Sequence, residues 1–223
     1  MLFDYHIHSK YSVLDSRSEI ADILKAGKSL GLGAMAISDH DAIEGALKAA
    51  LFSSKELIVI PAMEISSLDG HIVGLGLRKA VERDLSAEET VKRIHESGGL
   101  AIAAHPYDSF RSGVGDLCWK LGFDAIEING HCLYGNSKAE RAAKEHGIPL
   151  VGGSDAHSVD EISSICTEVS GGTAAEILDA IRCGRCRPVY RKNKASLKAG
   201  IVVGKVSRKY QKARHMWPKK LES

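Results

Sequence analysis

Hydrophobic residues along this chain follow two alternating patterns. Short apolar runs predict buried β-strands, and stretches with apolar residues three or four positions apart predict amphipathic helices. The predicted strands cover residues 2–7, 33–37, 57–61, 71–75, 100–104, 124–128, 148–152 and 188–190. The predicted helices cover residues 18–31, 42–54, 86–97, 137–146, 173–182 and 196–215. Alternation of this kind is typical of parallel βαβ units, and therefore of an α/β fold.

Local signals support two features of this pattern. Ser86 is followed three positions later by Glu89, a capping box that predicts the start of a helix. A turn at Asp69-Gly70 predicts that the strand over residues 71–75 folds back and pairs with the strand over residues 57–61.

Five short polar stretches contain histidine and acidic residues, and four of the five directly follow an apolar run. They are Asp4-Tyr5-His6-Ile7-His8, Asp39-His40-Asp41, Glu64 with His71, His105-Pro106, and Asp155-Ala156-His157. Imidazole and carboxylate groups are ligands of zinc, manganese and iron. The stretches converge only if the strand ends ring one mouth, which favours a closed or distorted barrel. The alternative is a doubly wound open sheet, in which they would spread along an edge.

The spacing within the stretches predicts how the side chains are arranged. His6 and His8 point to the same side of an extended strand, because strand side chains alternate with a period of two. Asp155 and His157 repeat this spacing. Glu64 follows a buried strand, where its carboxylate could bridge two metal ions.

Three aspartates near these histidines are assigned supporting roles. We expect Asp4, on the face of His6 and His8, to orient a ligand histidine. Asp39 is expected to support the site in the same way, and Asp41 to cap the following helix.

The length and composition of the chain limit the classes of protein to which it can belong. At 223 residues and 44% hydrophobic content, one domain of barrel size is the natural interpretation, with two small domains as the alternative. The five cysteines suggest no disulfide framework, so we expect reduced thiols in a cytoplasmic protein. Cys183 and Cys186 form a lone C-x-x-C, which we interpret as two ordinary thiols, with a redox pair or a structural zinc site as the alternatives. No apolar run approaches the ~20 residues of a membrane span, and no signal peptide is evident, so no membrane partner is expected.

Charge is distributed unevenly along the chain. Residues 187–223 carry 12 Lys and Arg and one acid, whereas residues 1–186 carry 18 basic and 27 acidic residues. A basic tail on an acidic body favours a partner with phosphates, such as a nucleic acid. A solvated helix face followed by a basic terminus is the alternative.

The order of the motifs resembles the PHP family, which comprises polymerase and histidinol phosphatase domains and stand-alone metal-dependent phosphoesterases. That order is Asp-x-His-x-His, Asp-His, Glu with a following Gly-His, His-Pro, and Gly-Ser-Asp-x-His. The resemblance implies a distorted (β/α)7 TIM-like barrel. It covers about residues 1–190 as a single domain, and residues 191–223 are expected to form a basic C-terminal helical extension.

The resemblance also implies a site for two or three divalent ions, either zinc, manganese or iron. One ion would be held by His6, His8, Glu64 and Asp155; a second by Glu64, His71 and His105; a third by Asp15, His40 and His157. Asp15 lies seven residues after His8, which is farther than the family's usual spacing.

The implied activity is hydrolysis of a phosphate ester, of a small phosphomonoester or a nucleotide. The implied nucleophile is a hydroxide that bridges the metals. His131, past the strand over residues 124–128, is the candidate that protonates the leaving group. Lys10 and Arg111, in loops expected to overlook the mouth, are candidates for gripping substrate phosphate. For all three, an ordinary surface-loop role is the alternative.

Two other functions fit the sequence. One is a nuclease or exonuclease that holds RNA or DNA with the basic tail over residues 191–223. The other is a non-catalytic, ribonuclease P-like RNA-binding scaffold. A scaffold has no need of nine potential metal ligands, so the sequence favours an enzyme. The sequence leaves the oligomeric state open.

Overall fold

The computed structural model describes residues 1–13, 15–132 and 134–191. These residues form nine strands, six α-helices and one 3₁₀ turn at Val159–Glu161. The strands are β1 (Leu2–Asp4), β2 (Ala34–Ile37), β3 (Ile58–Ser66), β4 (His71–Leu75), β5 (Leu100–Ala103), β6 (Ala125–Asn129), β7 (Leu150–Gly153), β8 (Ile165–Val169) and β9 (Cys186–Tyr190). The helices are α1 (Ile20–Ser29), α2 (Glu44–Ala50), α3 (Ala87–Glu96), α4 (Leu117–Lys120), α5 (Asn136–His146) and α6 (Ala174–Arg182).

The strands form one sheet in the order β7-β6-β5-β4-β3-β2-β1-β8-β9. Neighbours pair in parallel from β1 to β3 and from β5 to β7, whereas β4 is antiparallel to both β3 and β5. The sheet curls round on itself, because Ile7, just beyond β1, bridges Ala156, just beyond β7. Thr167 on β8 also donates to the carbonyl of Gly152 on β7. The sheet is therefore a nearly closed, distorted TIM-like barrel, as predicted, and not an open sheet.

Apolar side chains fill the inside of the barrel and the layer between sheet and helices. Phe3, Tyr5 and Ile60 belong to the inner cluster and are almost fully buried. Helix α6 contributes Ile177 and other residues to this cluster. It packs at the end of the barrel opposite the polar mouth, and burial of these side chains stabilises the frame that holds the strand ends.

Most predicted elements are confirmed within a few residues. Strand β3 runs past its predicted end to Ser66, which pairs with His71 at the start of the antiparallel strand β4. Ser86 accepts a hydrogen bond from the backbone N–H of Glu89, as the capping box predicts. The sequence patterns missed α4 and β8.

Asp41 does not cap α2, so that prediction is wrong. The helix begins at Glu44, and its N-cap residue, Ile43, makes no side-chain cap. The Asp41 carboxylate instead accepts the backbone N–H of Ser66 at 2.7 Å and pairs with Arg83. Asp41 thereby ties the β2 end to the long extension of β3.

The predicted final helix over residues 196–215 lies outside the described residues, as does all of the basic extension except Arg191. Arg191 donates to the carbonyl of Leu30 and to the hydroxyl of Ser163. Within the described part of the chain, no helix is long and apolar enough to cross a membrane.

Candidate metal centre

The barrel mouth gathers polar side chains from most of the strand ends. Polar side chains lie just past the last residues of β1, β2, β5 and β7, and Glu64 lies near the end of the long strand β3. Because β4 runs antiparallel, its first residue, His71, lies at the same mouth. All nine predicted ligands therefore lie together: His6, His8, Asp15, His40, Glu64, His71, His105, Asp155 and His157.

The first group surrounds two carboxylate oxygens. Glu64 Oε2 lies 3.2 Å from His6 Nε2 and 3.3 Å from His8 Nε2. Asp155 Oδ1 lies 3.7 Å from His6 Nε2 and 3.2 Å from His8 Nε2. Four donor atoms thus face one point in the buried interior of the mouth.

Glu64 also connects this group to the rest of the mouth. Its Oε1 atom lies 3.0 Å from His71 Nδ1 and 3.1 Å from His105 Nε2. Its Oε2 atom lies 3.2 Å from His40 Nδ1. One buried carboxylate therefore contacts several imidazoles through both of its oxygens.

The outer group is more exposed. Asp15 Oδ2 lies 3.2 Å from His40 Nε2 and 3.4 Å from His157 Nε2. The structure thus places Asp15 with the two histidines, despite its unusual spacing from His8.

Electrostatics favour ionised carboxylates in this mouth. Burial would raise the pKa of Glu64, but charges on His40, His6 and His71 hold that pKa well below its usual range. Burial likewise opposes ionisation of Asp155, whose pKa is held low chiefly by Arg111. Burial, aided by the charge of the neighbouring His157, lowers the pKa of His8 to about 4. The mouth therefore offers anionic oxygens beside imidazoles of unequal basicity.

The donor set fits a divalent metal. His8 Nε2 and His71 Nδ1 are buried and lie within 3.0–3.3 Å of carboxylate oxygens, yet they form no hydrogen bond with any described residue. A buried polar atom without a partner is costly, and a shared cation would satisfy ring nitrogen and carboxylate together. Nitrogen and oxygen donors of this kind suit zinc, manganese and iron.

Two aspartates expected to orient histidines have other partners. Asp4 does not accept from a histidine ring, because its carboxylate accepts the backbone N–H groups of Ser154 and Ser163. Burial raises the pKa of Asp4 to about 6. Asp39 accepts from the backbone N–H and the hydroxyl of Ser9 rather than from a histidine ring. Both side chains fasten loops at the mouth.

The two candidate phosphate-binding residues differ in position. Lys10 pairs with Glu19 at 2.8 Å, and both side chains are about half exposed. The Arg111 side chain is 10% exposed, and its guanidinium donates to Asp155 Oδ2. Arg111 therefore contacts a predicted metal ligand, whereas Lys10 lies at the outer edge with its charge already paired.

His131 lies inside the mouth, as its strand-end position suggested. It is buried, and its Nε2 atom lies 3.7 Å from Glu161 Oε2. Its ring stands edge-on to that of His157, with centroids 6.3 Å apart. Burial lowers the pKa of His131.

Sequence reasoning missed Glu127 and Asn129, both on β6. Glu127 is completely buried and accepts from His6 Nδ1 at 2.7 Å. Asn129 donates to Glu127 at 3.0 Å and to Asp155 Oδ2 at 3.2 Å. A signal was present, because a charged residue in the middle of an apolar strand requires a polar partner.

Ser12 was missed as well. Its hydroxyl lies 3.0 Å from His8 Nδ1 and accepts the backbone N–H of His40 at 2.9 Å. No sequence signal distinguished this serine from its neighbours in the loop after β1.

The barrel mouth thus gathers six imidazoles and three carboxylates, which is the donor set of a metal centre. Residues 4–108 match the family model described as "PHP domain", and residues 134–186 match the one described as "PHP-associated". The chain belongs to the PHP family, which confirms the resemblance seen in the motifs.

One curated relative is the "Uncharacterized protein MJ1587" of Methanocaldococcus jannaschii. It is 37% identical over an alignment of 138 positions, which covers 57% of this chain and 81% of the relative.

Two solved structures show the same fold. A two-domain protein from Bacteroides vulgatus, containing a predicted PHP-like metal-dependent phosphoesterase, superposes with a TM-score of 0.71 and 17% identity over 86% of this chain and 65% of its own. The lesion-specific endonuclease PfuEndoQ from Pyrococcus furiosus superposes with a TM-score of 0.60 and 21% identity, over 82% and 56% of the two chains. This chain therefore spans less than two thirds of either neighbour.

Proposed function

We propose that this protein is a metal-dependent phosphoesterase that hydrolyses the phosphate ester of a small phosphomonoester or a nucleotide. The observation that carries the proposal is the placement of Glu64. Its two oxygens contact His6, His8 and His40 on one side and His71 and His105 on the other. A buried carboxylate shared in this way is suited to bridge two cations.

The family resemblance assigns the residues that would hold the ions, and these contacts support the assignment. His6, His8, Glu64 and Asp155 would bind one ion, Glu64 with His71 and His105 a second, and Asp15 with His40 and His157 a third. When bound, such ions activate water as a nucleophile near neutral pH and neutralise the charge of phosphoryl oxygens.

The remaining residues of the mouth have supporting tasks in this proposal. Arg111 holds Asp155 and places a positive charge inside the mouth, which favours entry of an anionic phosphate. His131 is our candidate to protonate the leaving group, supported by its buried position near His157 and Glu161. Burial favours the neutral ring, and the negative charge of an arriving phosphate would raise its pKa.

Metal content and activity test the proposal together. The purified protein is assayed for zinc, manganese and iron, and screened against aryl phosphate, phosphomonoesters, nucleotides and short oligonucleotides. We expect at least two ions per chain and hydrolysis that a chelator abolishes. His95→Ala, which removes a half-exposed histidine on α3, is the matched control and retains activity. A chain that binds no metal and hydrolyses none of these esters contradicts the proposal.

A second candidate is a nuclease, supported by the concentration of positive charge in residues 187–223. Residues 192–223 are deleted, and Arg191 is kept because it contacts Ser163 and Leu30. We expect the deletion to weaken binding of a labelled RNA or DNA and to flatten its salt dependence. Unchanged binding at every salt concentration argues for the small-molecule phosphatase.

The non-catalytic scaffold receives less support. Nine donor side chains converge on one mouth, an arrangement that RNA binding does not require. We further propose a cytoplasmic location, supported by the five free cysteines.

A further inference from the structure

Glu127 is a buried carboxylate at the back of the metal centre. Its Oε1 atom accepts from the hydroxyl of Tyr5 at 2.8 Å and from His6 Nδ1 at 2.7 Å. Its Oε2 atom accepts from the backbone N–H of His105 at 2.7 Å and from Asn129 Nδ2 at 3.0 Å. The Tyr5 hydroxyl, the His105 backbone N–H and the Asn129 amide all donate, so the group acts as an ionised carboxylate, which can only accept from His6 Nδ1.

These contacts connect Glu127 to the predicted metal ligands. His6 can donate from Nδ1 only when that atom carries a proton, which leaves the lone pair of a neutral ring on Nε2. Nε2 is the atom that lies 3.2 Å from Glu64 Oε2 and 3.7 Å from Asp155 Oδ1. Asn129 extends the same network to Asp155 Oδ2.

We infer that Glu127 is a positioning residue, which holds His6 in the tautomer whose Nε2 binds a metal and places His105 beside it. The inference rests on the proposed metal-dependent activity and extends it to a residue that touches neither metal nor substrate. Carboxylates that orient ligand imidazoles typically raise metal affinity by about 10- to 100-fold.

The surrounding structure makes room for this carboxylate. A Cβ atom at Gly153 on β7 would collide with Glu127 Oε1 and would lie 2.8 Å from the Cβ atom of His6. A buried anion that contacts two predicted ligands fits positioning better than passive packing.

An amide of the same shape cannot replace the carboxylate. Glutamine has one accepting and one donating end, whereas both ends of Glu127 face donors. The backbone N–H of His105 cannot accept, so the amide NH₂ would turn toward Tyr5 and His6. His6 would then have to accept at Nδ1, which moves its proton to Nε2, the atom that faces the metal.

The test compares Glu127→Gln with Tyr5→Phe in zinc-loaded protein. Tyr5→Phe removes another donor to the same oxygen and leaves the His6 contact in place. Zinc affinity is measured by competition with a chelator, and the ring tautomer of His6 by ¹⁵N-edited NMR. We expect Glu127→Gln to bind one of its zinc ions about 10- to 100-fold more weakly, and Tyr5→Phe to remain close to wild type.

The NMR measurement keeps the inference testable if Glu127→Gln does not fold. In the zinc-loaded wild type, we expect a hydrogen-bonded proton on His6 Nδ1 and zinc on Nε2. Zinc on Nδ1, or unchanged affinity in Glu127→Gln, overturns the inference. A wild-type protein that shows this proton and binds zinc, yet hydrolyses no phosphate ester, overturns the proposed function alone.

Discussion

The inner and outer parts of the metal centre are built differently. The inner side chains of His6, His8, Glu64 and Asp155 are at most 3% exposed. The outer side chains of Asp15, His40 and His157 are 14–17% exposed. Water and competing ions reach the outer group more easily, so we expect the inner group to bind metal more tightly.

Their supports differ as well. His6 is backed by the carboxylate of Glu127, and Asp155 by Arg111 and Asn129. In the outer group, the hydrogen bond that His157 Nδ1 makes among the described residues is to the backbone carbonyl of Asp155 at 2.8 Å, and the Asp155 carboxylate is farther away at 3.6 Å. Charged supports hold a ligand in place more firmly than a neutral carbonyl does.

Removing an inner ligand should have the largest effect. We expect His6→Ala or Asp155→Ala to lower kcat/KM on an aryl phosphate by at least about 10³-fold, because a bound cation supplies several kcal/mol of stabilisation and about 1.4 kcal/mol is tenfold in rate. Circular dichroism checks that both variants fold, and His95→Ala serves as the control. Full activity in both variants would remove the metal-hydrolase proposal.

Removing the outer carboxylate should lower the activity less. We expect Asp15→Ala to lower kcat/KM by about 10-fold, equivalent to about 1.4 kcal/mol, and to reduce the metal content by one ion per chain. Metal analysis after dialysis compares the number of ions bound per chain in Asp15→Ala and Asp155→Ala. An Asp15→Ala loss as large as that of Asp155→Ala would mean that the two parts act as one unit.

In metal-free protein, the protonation of His40 should make the stability depend on pH. Burial alone would lower the pKa of His40, but Glu64 and Asp15 raise it to about 9. This value lies above the ~6.5 of an unfolded histidine, so the stabilisation is complete below pH ~6.5 and is lost as pH rises toward 9. Between pH ~6.5 and 9, we expect the free energy of unfolding to fall by about 1–3 kcal/mol more in wild type than in His40→Gln. Thermal unfolding at several pH values measures this difference. Identical pH profiles would contradict the expectation.

Lys10 should matter least. Because its ammonium is paired with Glu19 at the outer edge, we expect Lys10→Ala to change KM by less than about twofold, as is usual for an exposed ion pair. Arg111→Ala, measured beside it, should raise KM or lower kcat more strongly. A large Lys10 effect would show that its side chain leaves Glu19 to bind substrate.

The ligand types and their strand-end positions could be predicted because they depend on local order. A period of two places His6 and His8 on one side, and an apolar strand before each motif places it at the mouth. The pairing of β3 with β4 was equally local, because Asp69-Gly70 turns the chain back and brings His71 beside Glu64.

The supporting partners could not be predicted in this way. Glu127 lies 121 residues from His6, and Arg111 lies 44 residues from Asp155. Asp4 was expected to support a histidine on the basis of its spacing alone, yet its carboxylate reaches backbone groups beyond β7. Which distant group approaches a side chain depends on how the strands close into a ring.

By itself, the sequence determined the alternation of strands and helices, the family, and the nine candidate donors, because these follow from periodicity and from short motifs. Only the tertiary structure decided that Glu64 is shared, that Arg111 holds Asp155, and that Glu127 supports His6. The physical reason is that hydrogen bonds and ion pairs act over about 3–4 Å, a distance that sequence separation does not report.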